Sequence, residues 1–244
     1  MTLISVELDK RSFWSRRLNH RLVLEKPPSV DNRAAHFKNR GDACLTSNLP
    51  IIAGHYNSAT KRGVYFEITI RQMEGNAIIA LGMQCLPYPP NRLPGWHRKS
   101  AALHFDDRRI YFDDSEGGID YMRDVYNPQL GTSIKQHNVP EIKAMDIVGC
   151  GYEFPLNVGG VGSLFYTYNG ERLPAAFPAI FDPKEEGQEF DVFAAVGFTD
   201  GPCQFDVNFG LTTFKWSDAN SYLREWTVEG LFRQLGDGPP QYGS

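Results

Sequence analysis

The chain has few cysteines, no marked excess of either charge and no long apolar run, and each shortage removes a class of function. Its four cysteines, Cys44, Cys85, Cys150 and Cys203, stand far apart and form no Cys-x-x-Cys pair. A disulfide scaffold and a zinc site are therefore not expected, and the plain reading is a reduced intracellular compartment. Against 29 Asp and Glu there are 25 Lys and Arg, a net charge of −4. That leaves no positive field to hold a polyanion, so nucleic acid is not an expected partner. No apolar stretch nears the ~20 residues that cross a bilayer. The opening MTLISVELDKRSFW alternates apolar with charged residues and lacks a secretory core. No Gly-x-Ser-x-Gly, phosphate loop or His-Glu-x-x-His occurs. Glu189 and Asp191 make one same-face carboxylate pair with no further acid behind it, and a glycosidase needs two carboxylates across one cleft. No enzyme activity and no cofactor are expected.

Flat side chains and turn formers are plentiful instead. Aromatics make up 13% of 244 residues, with 23 Gly and 16 Pro, a mixture that suits strands and tight turns better than helices. Residues 63–70 set Tyr65, Glu67 and Thr69 against Phe66, Ile68 and Ile70, the period of two of a half-buried strand. Residues 76–83 form a continuous apolar run that suits a strand covered on both faces. Similar runs recur at 146–152, 163–168, 190–198 and 203–209, and Asn169-Gly170 after the second of these is a strong hairpin signal. The expected fold class is all-β, an antiparallel β-sandwich with short C-terminal helices.

Residues 1–40 read as a polar, basic N-terminal arm with one short element at the 22–24 Leu-Val-Leu run. The main domain is expected over 41–216. A helical extension over 217–235 starts at the capping residues Ser217-Asp218-Ala219-Asn220, and a flexible tail follows over 236–244. Two stretches look like insertions: the polar, turn-rich 113–144 and the charged loop 183–187.

The segment Pro87-Tyr88-Pro89-Pro90-Asn91-Arg92-Leu93-Pro94-Gly95-Trp96-His97-Arg98, with Leu103-His104-Phe105-Asp106-Asp107 behind it, resembles the SPRY domain family. Asp146 to Tyr152 is similar to that family's D-x-V-G-C-G strand. Leu164 to Gly170 is similar to its hairpin ending in N-G, and Val207-Asn208-Phe209-Gly210 to its closing strand. Ala195 stands where the family usually has Pro before Val-Gly. The resemblance spans about 42–215. It implies a bent sandwich of two antiparallel sheets, capture of a target protein segment by loops at one end, and no catalysis. Within the family, the Pro-rich segment looks most like fungal adaptors of WW-domain HECT ubiquitin ligases. Those act at endosomes and vacuoles and carry a transmembrane helix and Pro-Pro-x-Tyr motifs outside the domain. This chain has no such helix but does carry Pro239-Pro240-Gln241-Tyr242. The Ran-binding-protein type of SPRY protein is a second relative. It has G-W-D and H-G-D-D-G where this chain has Gly95-Trp96-His97 and His104-Phe105-Asp106-Asp107.

These residues set the expectations for the site. Adjacent prolines hold Pro239 and Pro240 in a polyproline II form that WW grooves accept, and Tyr242 would fill the neighbouring pocket, so the partner expected there is a WW-domain HECT ubiquitin ligase. In the Pro-rich loop, stiffness lowers the entropy lost on binding, while Tyr88 and Trp96 offer apolar faces and Arg92 and Arg98 offer cationic donors. Part of that motif packs inside in the SPRY fold, and Trp96 is expected to build the core at the same time. Arg92, Leu93 and Pro94 are expected at the exposed binding face. Asp107 and Arg109 lie in a charged turn that the resemblance sets beside the binding loops. His97 and His104 would diverge along a strand and are expected to be ordinary hydrogen-bonded histidines, so no metal site is expected. The remaining readings are a Ran-binding-type scaffold that recruits no ligase, and a sugar-binding domain using loop aromatics. The protein is expected to be a cytoplasmic monomer that reaches endosomal or vacuolar membranes through a partner.

Overall fold

In the computed structural model, residues 22–23, 41–47, 50–52, 62–155, 160–181, 191–199, 203–210 and 212–221 are described. The runs read from the sequence become strands. The alternating stretch is β3 (Gly63–Met73) and the continuous apolar run is β4 (Ile79–Cys85). Ahead of them lie β1 (Leu22–Val23) and β2 (Ala43–Ser47). After them come β5 (Ser100–His104), β6 (Arg109–Phe112), β7 (Ile119–Asp120), β8 (Met122–Asn127) and β9 (Thr132–His137). The chain continues through β10 (Ile147–Glu153), β11 (Gly162–Tyr168), β12 (Glu171–Ile180), β13 (Val192–Phe198) and β14 (Cys203–Asn208) to a single turn of helix, α1 (Ser217–Ser221).

Two antiparallel sheets form the sandwich. One runs β1-β2-β13-β4-β5-β6-β7 and the other β12-β11-β10-β3-β14. Their inner faces carry Leu81, Met83, Leu103 and Val196 on one side and Phe66, Ile68, Ile70 and Cys150 on the other, all within 1% of full burial. The Tyr166 hydroxyl donates to Leu81 O at 3.2 Å, a polar stitch from one sheet to the other. The Asn-Gly pair turns β11 into β12 with both residues at positive φ, 49° at Asn169 and 91° at Gly170, as a tight hairpin that follows strand twist requires.

Two expectations are corrected. β3 is not half-buried: Tyr65 and Glu67 on its outward face are only 3% and 4% exposed. The segment after β14 folds back over that face, packing Phe214, Trp216 and Ala219 on Tyr65 and Phe165. Tyr65 meets Phe214 edge-on at 4.9 Å and Trp216 at 5.1 Å, and Arg172 lies 4.1 Å over Phe165. The 113–144 stretch is not a plain loop either. It holds β7 and a separate two-stranded sheet, β8-β9. Polar residues on both faces of this hairpin hide its period in the sequence.

Most of the N-terminal arm, the 183–187 loop, the extension beyond Ser221 and the Pro239–Tyr242 motif lie outside the described residues. Among the described residues no helix is long and apolar enough to cross a membrane.

Candidate functional site

The Pro-rich segment crosses the outward face of the seven-stranded sheet as a strap. It leaves β4 through a cis Leu86–Pro87 bond and returns into β5. The floor beneath it is made of small residues, because backbone can approach a sheet closely only where side chains are short. Leu93 is fully buried on Ala80 and Ala102, with Ile78 and Trp96 around it. Pro94 lies over Gly197, where an added Cβ would stand 2.3 Å from its Cδ. Gly95, at a φ of 97°, lies against the Tyr111 Cβ. Tyr88 is buried against Cys44 and Ala195, and its hydroxyl donates to Leu93 O.

Hydrogen bonds fasten the strap at both ends and in the middle. Cys44 N donates to Pro90 O at 2.9 Å. Ser100 Oγ accepts from Gly95 N at 2.7 Å and donates to His97 O at 2.6 Å. His104 Nε2 donates to Pro94 O at 2.9 Å. The His104 ring stacks 4.2 Å from Tyr111 and 5.6 Å from Trp96, and burial pushes its pKa down, so the imidazole is held neutral. It is a strap anchor. His97 is half-buried, and its carbonyl accepts from Ser100 Oγ.

The residues expected at the binding face therefore separate. Tyr88, Leu93 and Pro94 are buried and belong to the packing under the strap. The exposure expected of Leu93 and Pro94 is overturned by the small-residue floor, which lets both sink into the sheet. Trp96 is only half-buried, packed against His104 and the Leu93 seat on the outward face of the sheet and not in the core between the sheets where the sequence reading set it. Arg92 and Arg98 stand out of the strap. Arg92 keeps half its side chain exposed and lies 3.9 Å from Asp42. Arg98, at a φ of 53°, donates to Pro87 O at 3.1 Å and braces the loop it leaves. Exposed Leu86, Pro87, Pro90 and Asn91 complete the same rim.

Asp107 and Arg109 are committed to the chain's own structure. Asp107 accepts from the Tyr111 hydroxyl at 2.5 Å and from Arg109 N at 3.0 Å. Arg109 pairs with Asp120 at 2.8 Å and donates to Gly117 O at 3.0 Å. The sequence reading missed Asp42 and Asp114. Asp114 accepts from the amides of Glu116, Gly117 and Gly118, and its own amide donates to Gly95 O at 3.1 Å, which ties the β6–β7 loop to the strap. Those backbone bonds hold its carboxyl below the usual carboxylate range. The Asp114-Ser115-Glu116-Gly117-Gly118 run was the available signal, an acid that closes a turn on the amides ahead of it. Asp42, isolated in a polar stretch, left none.

The rim is a rigid surface of proline edges and two guanidinium groups, suited to the carbonyls and carboxylates of an extended peptide. Among the described residues no three His, Cys, Asp or Glu side chains gather as a metal site would need. The four cysteines are buried and form no disulfide with one another. Burial pushes Cys150 up and Cys203 to about 11, so these two remain thiols at neutral pH.

Comparison with known proteins places this architecture. No family model matches the chain. A crystal structure of a human SPRY domain superposes with a TM-score of 0.50 at 20% identity, covering 73% of this chain and 91% of that one. The protein ssh4 of Sclerotinia sclerotiorum is 30% identical over 203 residues, which is 83% of this chain and 31% of that protein. The ssh4 of Botryotinia fuckeliana matches over the same length at 30% identity. An SPRY domain-containing protein of Schizosaccharomyces pombe is 25% identical over 208 residues, 85% of this chain and 44% of its own length. The chain thus spans about a third of the length of the ssh4 proteins it matches.

Proposed function

We propose that this chain, a SPRY domain by its fold and its relatives, captures an extended segment of a target protein on the strap rim and acts as a substrate adaptor for a WW-domain HECT ubiquitin ligase. The observation that carries the first half is the strap itself. Tyr88, Leu93 and Pro94 are spent on seating it, so Arg92, Arg98 and the edges of Pro87 and Pro90 project from a surface that has little freedom left to lose. A preorganised rim with guanidinium donors favours polypeptide backbone and acidic side chains. The second half rests on Pro239-Pro240-Gln241-Tyr242 and on the resemblance to fungal ligase adaptors. The protein would act without catalysis, in the cytoplasm, reaching endosomal or vacuolar membranes through its partners.

Titration of a WW domain with the C-terminal peptide tests the adaptor half. Saturable binding that Tyr242→Ala abolishes is the expected result. No binding, or equal binding after the substitution, defeats it and leaves a scaffold of the Ran-binding-protein type, for which deletion of 237–244 changes nothing. Capture of target by the full chain tests the rim: Arg92→Ala should weaken it at an unchanged melting temperature.

A further inference from the structure

The charges around the strap are sorted by sign across the seven-stranded sheet. On the β2 side, Pro90 O accepts from Cys44 N, and Arg92 lies 3.9 Å from Asp42, just ahead of β2. The Arg92 side chain is 50% exposed and that of Asp42 19%, so the guanidinium is the group turned outward. Arg98 leans onto Pro87 O, where the chain leaves β4, and half-buried Lys99 follows it. Past β6 the sign changes. Asp113 N donates to Ser100 O and Asp114 N to Gly95 O, so the β6–β7 loop is bonded to the strap. Asp113 and Glu116 are exposed on that loop, and neither side chain forms an ion pair among the described residues. The Asp114 carboxylate is taken up by the amides of its own turn, and Asp120 is paired with Arg109.

Sheet geometry sets the span between these two poles. β2 and β6 are separated by four strand spacings, through β13, β4 and β5. Ala43, beside Asp42, pairs with Phe198, which pairs with Ile79 at the start of β4. Asp113 instead meets Ser100, which pairs with Gln84 near the end of β4. The line from Asp42 to Asp113 is therefore oblique, roughly 27 Å at ordinary strand spacing and rise, and an extended chain covers it in about eight residues. Trp96, packed on Leu93 and His104, lies between the poles. Its Nε1 has no hydrogen-bond partner among the described residues, and an unpaired indole donor is one that a passing backbone carbonyl completes.

We infer that the segment captured on the rim carries an acidic side chain for Arg92 and a basic one for Asp113 and Glu116, about eight residues apart, with its backbone laid over Trp96 between them. The inference rests on the rim's capturing a target segment and names the class of that segment. Charge complementarity selects it. A wholly acidic segment would satisfy Arg92 and Arg98 but set like charge against Asp113 and Glu116, and a wholly basic one would do the reverse. A segment with both signs in order meets neither penalty. Laid in the opposite direction it is repelled at both poles, so the same charges fix which way the bound chain runs.

Selection of displayed random peptides, about twelve residues long, on the full chain tests this. Enriched peptides should carry Asp or Glu about eight positions from Lys or Arg. For a synthetic copy of one of them, Arg92→Glu and Glu116→Lys should each weaken binding about tenfold or more. Each loss should be recovered when the matching peptide charge is reversed, a recovery that an unfolded variant cannot show. No enriched peptide, or binding indifferent to both substitutions, overturns the rim as a capture site and this inference with it. Binding that Arg92→Glu weakens, but by peptides with no basic residue at that spacing or with no response to Glu116→Lys, overturns this inference alone and leaves the rim.

Discussion

A Cβ on Gly197 would stand 2.3 Å from Pro94 Cδ and 2.9 Å from Leu93 Cδ2. That contact fixes how deep the strap sits, because β13 is a central strand paired with β2 and β4 and has little room to move. The proline ring is stiff, and Pro94 O is held by His104. Gly197→Ala should therefore lower stability by about 1–3 kcal/mol through overpacking, read as a lower urea midpoint. It should also weaken target capture, because the rim above moves with the strap. An unchanged midpoint would mean that the strap is loosely laid.

Leu93 and Arg92 are neighbours in sequence with opposite fates, and substitution should separate them. Leu93 is fully buried on a floor that cannot collapse into the gap it would leave. Leu93→Ala should cost about 2–5 kcal/mol. Arg92 is half exposed, and its contact with Asp42 at 3.9 Å is long. Arg92→Ala should change stability by no more than about 0.5 kcal/mol, since exposed ion pairs contribute little. Thermal melts of the two variants check this. A large loss at Arg92 would make it part of the strap's seat.

The strands were legible because period-two patterns and small-residue runs report burial directly. Ala101-Ala102-Leu103 and Ala194-Ala195-Val196-Gly197 are short and apolar without alternation because the strap covers the outer face of β5 and β13. The same logic failed at β3. Tyr65 and Glu67 alternate as a solvent-facing row would, yet Phe214 and Trp216, some 150 residues on, cover them. Local pattern cannot say what distant segment will land on a face. Leu93 was misplaced for a related reason: it sits in an aperiodic run of prolines, where no repeat separates inside from outside. The β8-β9 hairpin gave no signal because neither face is buried enough to be apolar.

Glu67 predicts a pH dependence. Its carboxylate accepts from Lys215 N at 3.0 and 3.1 Å, from Tyr65 at 3.1 Å and from Asn208 at 3.2 Å. Desolvation still outweighs these bonds, and its pKa is raised. A raised folded-state pKa means that folding favours the protonated form. The contribution is fully present below the unfolded pKa and is lost as pH rises through the folded one. Glu67→Gln, neutral throughout, should therefore gain on the native protein as pH goes from about 4 to 7. Urea unfolding across that range checks the sign. A gap that narrows instead would show that the bonds win over burial.

Lys215 links that carboxylate to the β11–β12 turn. An added Cβ at Gly170 would lie 2.7 Å from Lys215 O, and Gly170 is at a φ of 91°. Gly170→Ala should thus cost about 1–3 kcal/mol, from backbone strain and from pushing the covering segment outward. Glu67→Ala should cost about 1–3 kcal/mol by leaving the Lys215 amide without its acceptor. Both act on the same short stretch of chain, so their effects should not add. Once the segment has been lifted at one end, the second substitution finds less to disrupt, and the double variant should fall short of the sum by about 0.5 kcal/mol or more. Additivity to within the error of the urea midpoints would mean that Phe214 and Trp216 hold the segment down without the carboxylate, and that Glu67 is only tolerated beneath it.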